Sequence, residues 1–149
     1  MSTPKPRRVV LDTNIVMDML HFDDRHTQPL RSAIDAGQLQ CFSDGECLAE
    51  LERVTGYPAF ALDDAGRQAL FEKYQRLVTR CDAAATEDYR LPRCRDEDDQ
   101  KFLILAARCG AELLITRDKL LLKLAQHRRL PPPFTILTAQ AACQLLALG

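Results

Sequence analysis

Four carboxylates sit at points of this sequence where they could share one task. Asp12 ends an apolar run, Glu50 lies within an amphipathic segment, Asp99 closes an acidic cluster and Asp118 follows a second apolar run. Carboxylates brought within about 4 to 6 Å raise one another's pKa, and a divalent cation relieves the repulsion. All-oxygen ligands suit Mg²⁺ or Mn²⁺, which keep several waters and bind naturally beside phosphates. The chemistry open to such a set is in-line attack of metal-activated water on phosphorus, with the cation stabilising the leaving oxygen.

Each acid also has a plainer reading. Asp12 equally fits a cap of the helix that follows it. Glu50 on a helix reads by itself as a solvated face. Asp96, Glu97, Asp98 and Asp99 suit a helix N-terminus, although four acids exceed what a helix dipole worth under about 1 kcal/mol per group can use. Asp118, between Arg117 and Lys119, fits a surface ion pair.

The elements that must position these residues alternate along the chain. Val9 to Leu11 read as a buried strand and Asn14 to Leu20 as a short helix, so Asp12 stands where one gives way to the other. Thr27 to Ala36 continue as helix up to Gly37, and Leu39 to Phe42 form a second strand. Asp44 is placed to cap a helix over Glu46 to Thr55, in which Glu46 and Glu50 share one side. Periodicity predicts one long helix over Asp63 to Cys81, then a loop over Ala83 to Cys94. A helix after Asp99 ends at Gly110, and Leu113 to Thr116 form a strand whose exit leads to Asp118. Leu120 to Gln126 read as helix, Pro131 to Pro133 as a stiff connector, Phe134 to Leu137 as a strand and Ala139 to Leu148 as a closing helix. This alternation predicts a three-layer α/β/α sandwich with a central, mainly parallel sheet, in which ligands gather at the carboxyl ends of the strands.

Composition bounds the reading further. With 149 residues and 46% hydrophobic content the chain has the size of one domain, expected over residues 1–149, with apolar material enough for a core. A charged fraction of 28% and a net charge of -1 argue against a polybasic membrane anchor. No apolar run reaches the length of a signal segment or membrane span, so a cytoplasmic protein without membrane contact is expected. The six cysteines show no zinc-site spacing and read as reduced, mostly buried thiols. Between Arg90 and Arg129 ten Lys or Arg face six acids, which leaves the region clearly basic once a metal occupies some of those acids.

Taken together, Asp12-Thr13-Asn14, the Cys47-Leu48-Ala49-Glu50-Leu51 helix, Arg95-Asp96-Glu97-Asp98-Asp99-Gln100-Lys101-Phe102-Leu103 and Leu114-Ile115-Thr116-Arg117-Asp118 occur in the order seen in PIN-domain nucleases, which the chain resembles over nearly its whole length. It looks most like the bacterial toxin components of toxin-antitoxin pairs related to the VapC type. The resemblance implies a metal-dependent ribonuclease whose acidic pocket is supplied by Asp12, Glu50, Asp99 and Asp118, with Asn14 and Thr116 as polar supports. It implies products bearing a 5'-phosphate and a 3'-hydroxyl, and a small antitoxin whose basic or amphipathic segment covers the pocket. Two positions depart from the pattern: Glu97 stands where relatives often carry Pro, and Leu120 where many carry a further acid, which would weaken a second metal site. Within the acidic run Asp99 is preferred because Phe102 and Ala106 then fall on the packed side of its helix, with Asp96 as the nearest rival.

For an RNA substrate, Arg95, Arg117, Lys119, Arg128 and Arg129 are the candidate phosphate contacts, each equally explicable as a solubilising surface charge. Aromatic residues total only 6% and Trp is absent, which argues against extensive base stacking. A homodimer through the Asp63 to Cys81 helix or the closing helix is compatible with the apolar pattern, as is simple core packing. Three rivals stand beside the nuclease. A phosphoaspartyl phosphatase uses D-x-D, where this chain has Asn14, and a receiver domain wants an early acid pair that Asp12 lacks. The third is a catalytically silent module that keeps the pocket to dock RNA or a partner protein.

Overall fold

Val9, Val10 and Leu11 are almost wholly buried, as the middle strand of a sheet covered on both faces must be. In the computed structural model, which describes residues 5–83 and 87–148, they belong to β1 (Arg7–Leu11). β1 pairs in parallel with β2 (Leu39–Ser43) on one side and β4 (Leu113–Ile115) on the other. β3 (Val78–Arg80) and β5 (Thr135–Leu137) extend the sheet outward, giving the order β3-β2-β1-β4-β5 with every pairing parallel.

Alternation along the strands creates two cores. Val9, Leu11, Leu39, Cys41, Leu113 and Ile115 pack on one face with α1 (Thr13–Leu20), α2 (Gln28–Asp35), α4 (Asp64–Leu77) and α7 (Ala139–Leu145). Val10, Phe42, Leu114 and Ile136 pack on the other with α5 (Gln100–Arg108) and α6 (Lys119–Lys123). The helix α3 (Gly45–Thr55) contributes to both, through Leu48 and Leu51 to the first and Cys47 to the second. The protein is therefore a parallel three-layer α/β/α sandwich.

Local chemistry sets the helix ends. Asp44 accepts from Cys47 N at 2.8 Å and Asp63 from Gly66 N at 2.7 Å, each satisfying a first-turn N–H. Gly37 and Gly110 follow α2 and α5 with φ of +77° and +64°, a left-handed conformation that glycine adopts without a Cβ clash.

The expected helix over Asp63 to Cys81 is in fact a helix followed by a strand. It stops at Leu77, and Val78 begins the edge strand β3, opposite Cys41. The β-branched pair Val78-Thr79 favours extended backbone, and the open edge of β2 supplies the hydrogen bonds that a further helical turn would otherwise make. The closing helix ends at Leu145 rather than Leu148, and the last strand begins at Thr135 rather than Phe134. The expected loop over Ala83 to Cys94 lies partly outside the described residues. Residues 87–94 of it are irregular, and Gln100 clamps their end by accepting from Cys94 N at 2.8 Å and donating to Pro92 O at 3.1 Å. All six cysteines are unpaired, and four are buried.

Candidate active site

The strand order reverses direction at β1, from which the chain moves outward through β2 to β3 and then returns to the other side at β4. A crevice forms at such a switch point, outside the carboxyl ends of the two neighbouring strands. Asp12 leaves β1 there and Asp118 leaves β4, and the Asp12 N–H donates to Ile115 O at 2.9 Å, joining the two exits. The resulting cavity, about 250 Å³, is lined by Asp12, Thr13, Asn14, Glu50, Asp96, Asp99 and Asp118, with Met17, Val54, Tyr57, Phe60 and Arg117 around them.

Asp12 occupies the N-cap position of α1 without using its side chain as a cap. Its Oδ2 accepts instead from Thr116 Oγ1 at 2.7 Å and from Asn14 Nδ2 at 3.2 Å. The capping alternative fails because the carboxylate turns into the crevice, where a fully buried hydroxyl holds it. Thr116 also accepts from Asp118 N at 2.9 Å, so one hydroxyl fixes both strand-exit acids. Asp118 caps α6 through Oδ1, which accepts from Leu120 N at 2.8 Å. Its neighbour Arg117 pairs with Asp18 instead, and Asp118 makes no ion pair among the described residues, unlike the surface reading of that acid.

The acidic run resolves by burial. Asp96 is exposed and caps the one-turn 3₁₀ segment Glu97–Asp99, accepting from Asp98 N at 3.0 Å. Asp99 is buried beside the Asp118 carboxyl, and its Oδ2 has no hydrogen-bond donor among the described residues. Asn14 Oδ1 is likewise buried without a donor. Both residues line the crevice, and a buried oxygen without a donor on each leaves a need that a cation or water would meet.

Electrostatics carry the same mark. Burial pushes the Asp12 carboxyl up to about 6 against the opposing Thr116 hydrogen bond, with the charges of Glu50 and Asp118 adding to the rise. Burial and then the charges of Asp12 and Asp118 push Asp99 up to about 7. Folded-state values above the ordinary carboxylate value make the metal-free fold bind more protons than the unfolded chain. The sign follows: the stability these groups contribute is full below about pH 4 and is lost as pH rises through 6 and 7. Metal-free protein is expected to melt several degrees lower at pH 8 than at pH 5 in scanning fluorimetry, with Mn²⁺ restoring the loss at pH 8; a melting point that climbs over that interval would contradict this account.

Glu50 lines the cavity but is engaged elsewhere. Its Oε2 accepts from Thr13 Oγ1 in a short hydrogen bond, and its Oε1 from Lys101 Nζ at 2.7 Å. Neither partner was anticipated in the sequence. Thr13 is the middle residue of Asp12-Thr13-Asn14, and Lys101 lies two residues beyond Asp99; the first turn of α5 brings it to α3. Of the expected phosphate contacts only Arg117 lines the cavity, whereas Arg95, Lys119, Arg128 and Arg129 are exposed without lining it.

Among the described residues no three His, Cys, Asp or Glu side chains stand close enough together to cage an ion. That is compatible with Mg²⁺ or Mn²⁺, which need only one or two direct carboxylates because water completes the shell. The all-oxygen donor set, the undonated Asp99 oxygen and the raised carboxyls fit such an ion.

The protein is a parallel α/β/α sandwich whose switch-point cavity is lined by five carboxylates. A family model for the PIN domain matches residues 8–120, well over half of the chain, and the protein belongs to that family. PIN domains are generally nucleases, bind nucleic acid and typically use divalent metals. The match runs from β1 to the start of α6, so β5 and α7 complete the sheet beyond it. Comparison with curated proteins found no match. No described helix is long and apolar enough to cross a membrane.

Proposed function

We propose that this chain is a Mg²⁺- or Mn²⁺-dependent endoribonuclease, acting in the cytoplasm as one domain over residues 1–149 and serving as the toxin of a toxin-antitoxin pair. The observation that carries the reading is the burial of Asp12 and Asp99 around one crevice, with an Asp99 oxygen that no donor among the described residues satisfies. One or two of Asp12, Asp99 and Asp118 would hold the cation directly and the rest through its waters, and Glu50 would join them on release from Lys101. A bound ion supplies Lewis-acid stabilisation of the charge that builds on a cleaved phosphodiester and activates water.

The chain's own residues do the positioning. Thr116 holds Asp12 by its hydroxyl and Asp118 by its backbone, so the two strand-exit acids keep a fixed separation as substrate enters. Asn14 steadies the same Asp12 oxygen from the first turn of α1. Arg117, exposed at the rim, offers a guanidinium to a flanking phosphate. A small antitoxin laying a basic segment over the acids would neutralise the pocket, and Leu145, 56% exposed on α7, offers apolar surface to a second copy.

A specific observation favours the silent docking module as second reading: Lys101 already neutralises Glu50, as a cation would. Titrating Mn²⁺ into a single-stranded RNA separates the two. The nuclease reading expects metal-dependent cleavage by the wild type and at least a thousandfold loss in Asp12→Asn with the fold intact by circular dichroism. Equal cleavage by both proteins, or none by the wild type at any Mn²⁺ concentration, would remove it.

A further inference from the structure

One side of the acidic cavity is aromatic. Tyr57 and Phe60 line it opposite the carboxylates, and Phe60 is also packed by Phe22 and His21 from the end of α1. The Tyr57 and Phe60 rings are nearly parallel, 11° apart with centroids at 6.4 Å, while Phe22 meets Phe60 at 5.8 Å and His21 meets Phe22 at 4.6 Å. Of the nine Phe and Tyr in the chain, three converge here from two separate stretches. Tyr57 and Phe22 remain 52% and 55% exposed, whereas Phe42, Phe102, Phe134 and Tyr74 are buried in the cores. A protein this size has apolar room inside for such rings, and leaving Tyr57 bare in the lining of a charged cavity, with Phe22 bare against its neighbour Phe60, calls for an occupant.

The setting selects among occupants. Aromatic rings, carboxylates suited to a cation and the Arg117 guanidinium, which a phosphate would share with Asp18, line one cavity and so put a π surface, a phosphate-directed ion and a cationic side chain side by side. A nucleic-acid strand likewise repeats flat base beside anionic phosphate. A helical protein partner would instead want an apolar groove with anchors three and four residues apart, which two exposed rings beside five acids do not provide.

We infer that Tyr57, backed by the nearly parallel Phe60, and Phe22, tilted 58° against Phe60 beside it, form a platform of two inclined stacking faces for unpaired nucleobases next to the phosphodiester held at the acids. The substrate is accordingly single-stranded at the cleavage site, since a paired base presents no free face. This rests on the nuclease reading of the same cavity and adds the recognition that reading lacks. Phe60 holds the platform at the correct height, and the loop between α3 and α4, with its 3₁₀ turn Pro58–Phe60, presents it.

Binding measured in the Asp12→Asn background keeps this test independent of cleavage. The probes are a labelled single-stranded oligoribonucleotide, the same backbone with every base removed, and a blunt duplex. Tyr57→Ala and Phe22→Ala are each expected to weaken the base-bearing strand roughly 5- to 100-fold, as loss of one stacked base does. The abasic strand should change less than twofold, and the duplex should bind worst. Because the chain has no Trp, Tyr57→Trp provides a single indole reporter that retains affinity and is quenched when the base-bearing strand is added. Equal weakening of base-bearing and abasic strands, or undiminished RNA binding by both alanine variants, overturns the platform. If that happens while the wild type still cleaves RNA with Mn²⁺, the platform falls and the nuclease stands; if the wild type never cleaves, the nuclease falls by its own test.

Discussion

Asp99→Asn is expected to destroy metal-dependent RNA cleavage and, in the same protein, to raise the melting temperature of the metal-free fold at pH 8. The two effects share one cause. Asp99 is buried at 8% exposure with one oxygen lacking any donor among the described residues, and it faces the charges of Asp12 and Asp118. Its carboxyl, pushed up to about 7 chiefly by burial, is ionised at pH 8 in a place that resists the charge. At pH 8 the metal-free fold therefore carries an ionisation penalty at Asp99 that the unfolded chain does not. A neutral amide of the same shape removes that penalty and can donate to a neighbouring carboxylate. We expect a gain on the order of 1 to 2 kcal/mol at pH 8, a few degrees in melting temperature for a chain of this length. At pH 5, where the wild-type carboxyl is already largely protonated, the gain should vanish. Mn²⁺ should stabilise the wild type and leave the variant almost unmoved. Melting curves at both pH values, with and without Mn²⁺, check this; a variant less stable than wild type at pH 8 would place Asp99 among ordinary structural acids.

Far from that crevice, Arg108→Met should cost the fold about 3 kcal/mol or more. Arg108 leaves the last turn of α5 with its side chain only 9% exposed and donates to Asp44 Oδ2 at 2.9 Å, Cys81 O at 2.8 Å and both Glu87 oxygens at 2.7 and 2.9 Å. It thereby ties the start of α3 to the exit of β3 and to the irregular segment that follows. The Glu87 hydrogen bonds above all, with those to Asp44, hold the guanidinium well above its ordinary pKa. Methionine fills the volume and leaves Asp44, 5% exposed, with its carboxylate buried and Cys47 N as its remaining backbone donor among the described residues. Removing one partner of a buried pair leaves the other charge uncompensated, typically at about 3 to 5 kcal/mol. The double variant Arg108→Met/Asp44→Asn should recover part of the loss, and urea unfolding of the three proteins measures the coupling. Additive losses in that cycle would show that Arg108 acts through packing alone.

Much of the architecture could be read along the chain. The runs Val9 to Leu11 and Leu113 to Ile115 are continuous apolar strands because the sheet is buried on both faces, and the helices between them carry their own stop signals at Gly37 and Gly110. Asp44 was legible as a cap, since capping involves only the next three residues. Asp12 and Asp118 could be picked out at strand exits, Asp99 at a helix start and Glu50 within an amphipathic helix.

What the linear order determined, then, is everything that depends on neighbours within a turn or two: the strand-helix alternation, the parallel sheet it requires and the placing of acids where elements change. Only the tertiary structure decided what depends on distant partners. It turned Val78–Arg80 into a strand by offering it the edge of β2, and put Thr116 under Asp12 across 104 positions. It drew Glu50 toward Lys101 and set Phe22 against Phe60, which lines the cavity with Tyr57. The reason is physical: periodicity and capping report local backbone preference, whereas burial, hydrogen bonding across the sheet and the crowding of like charges arise only when the layers close.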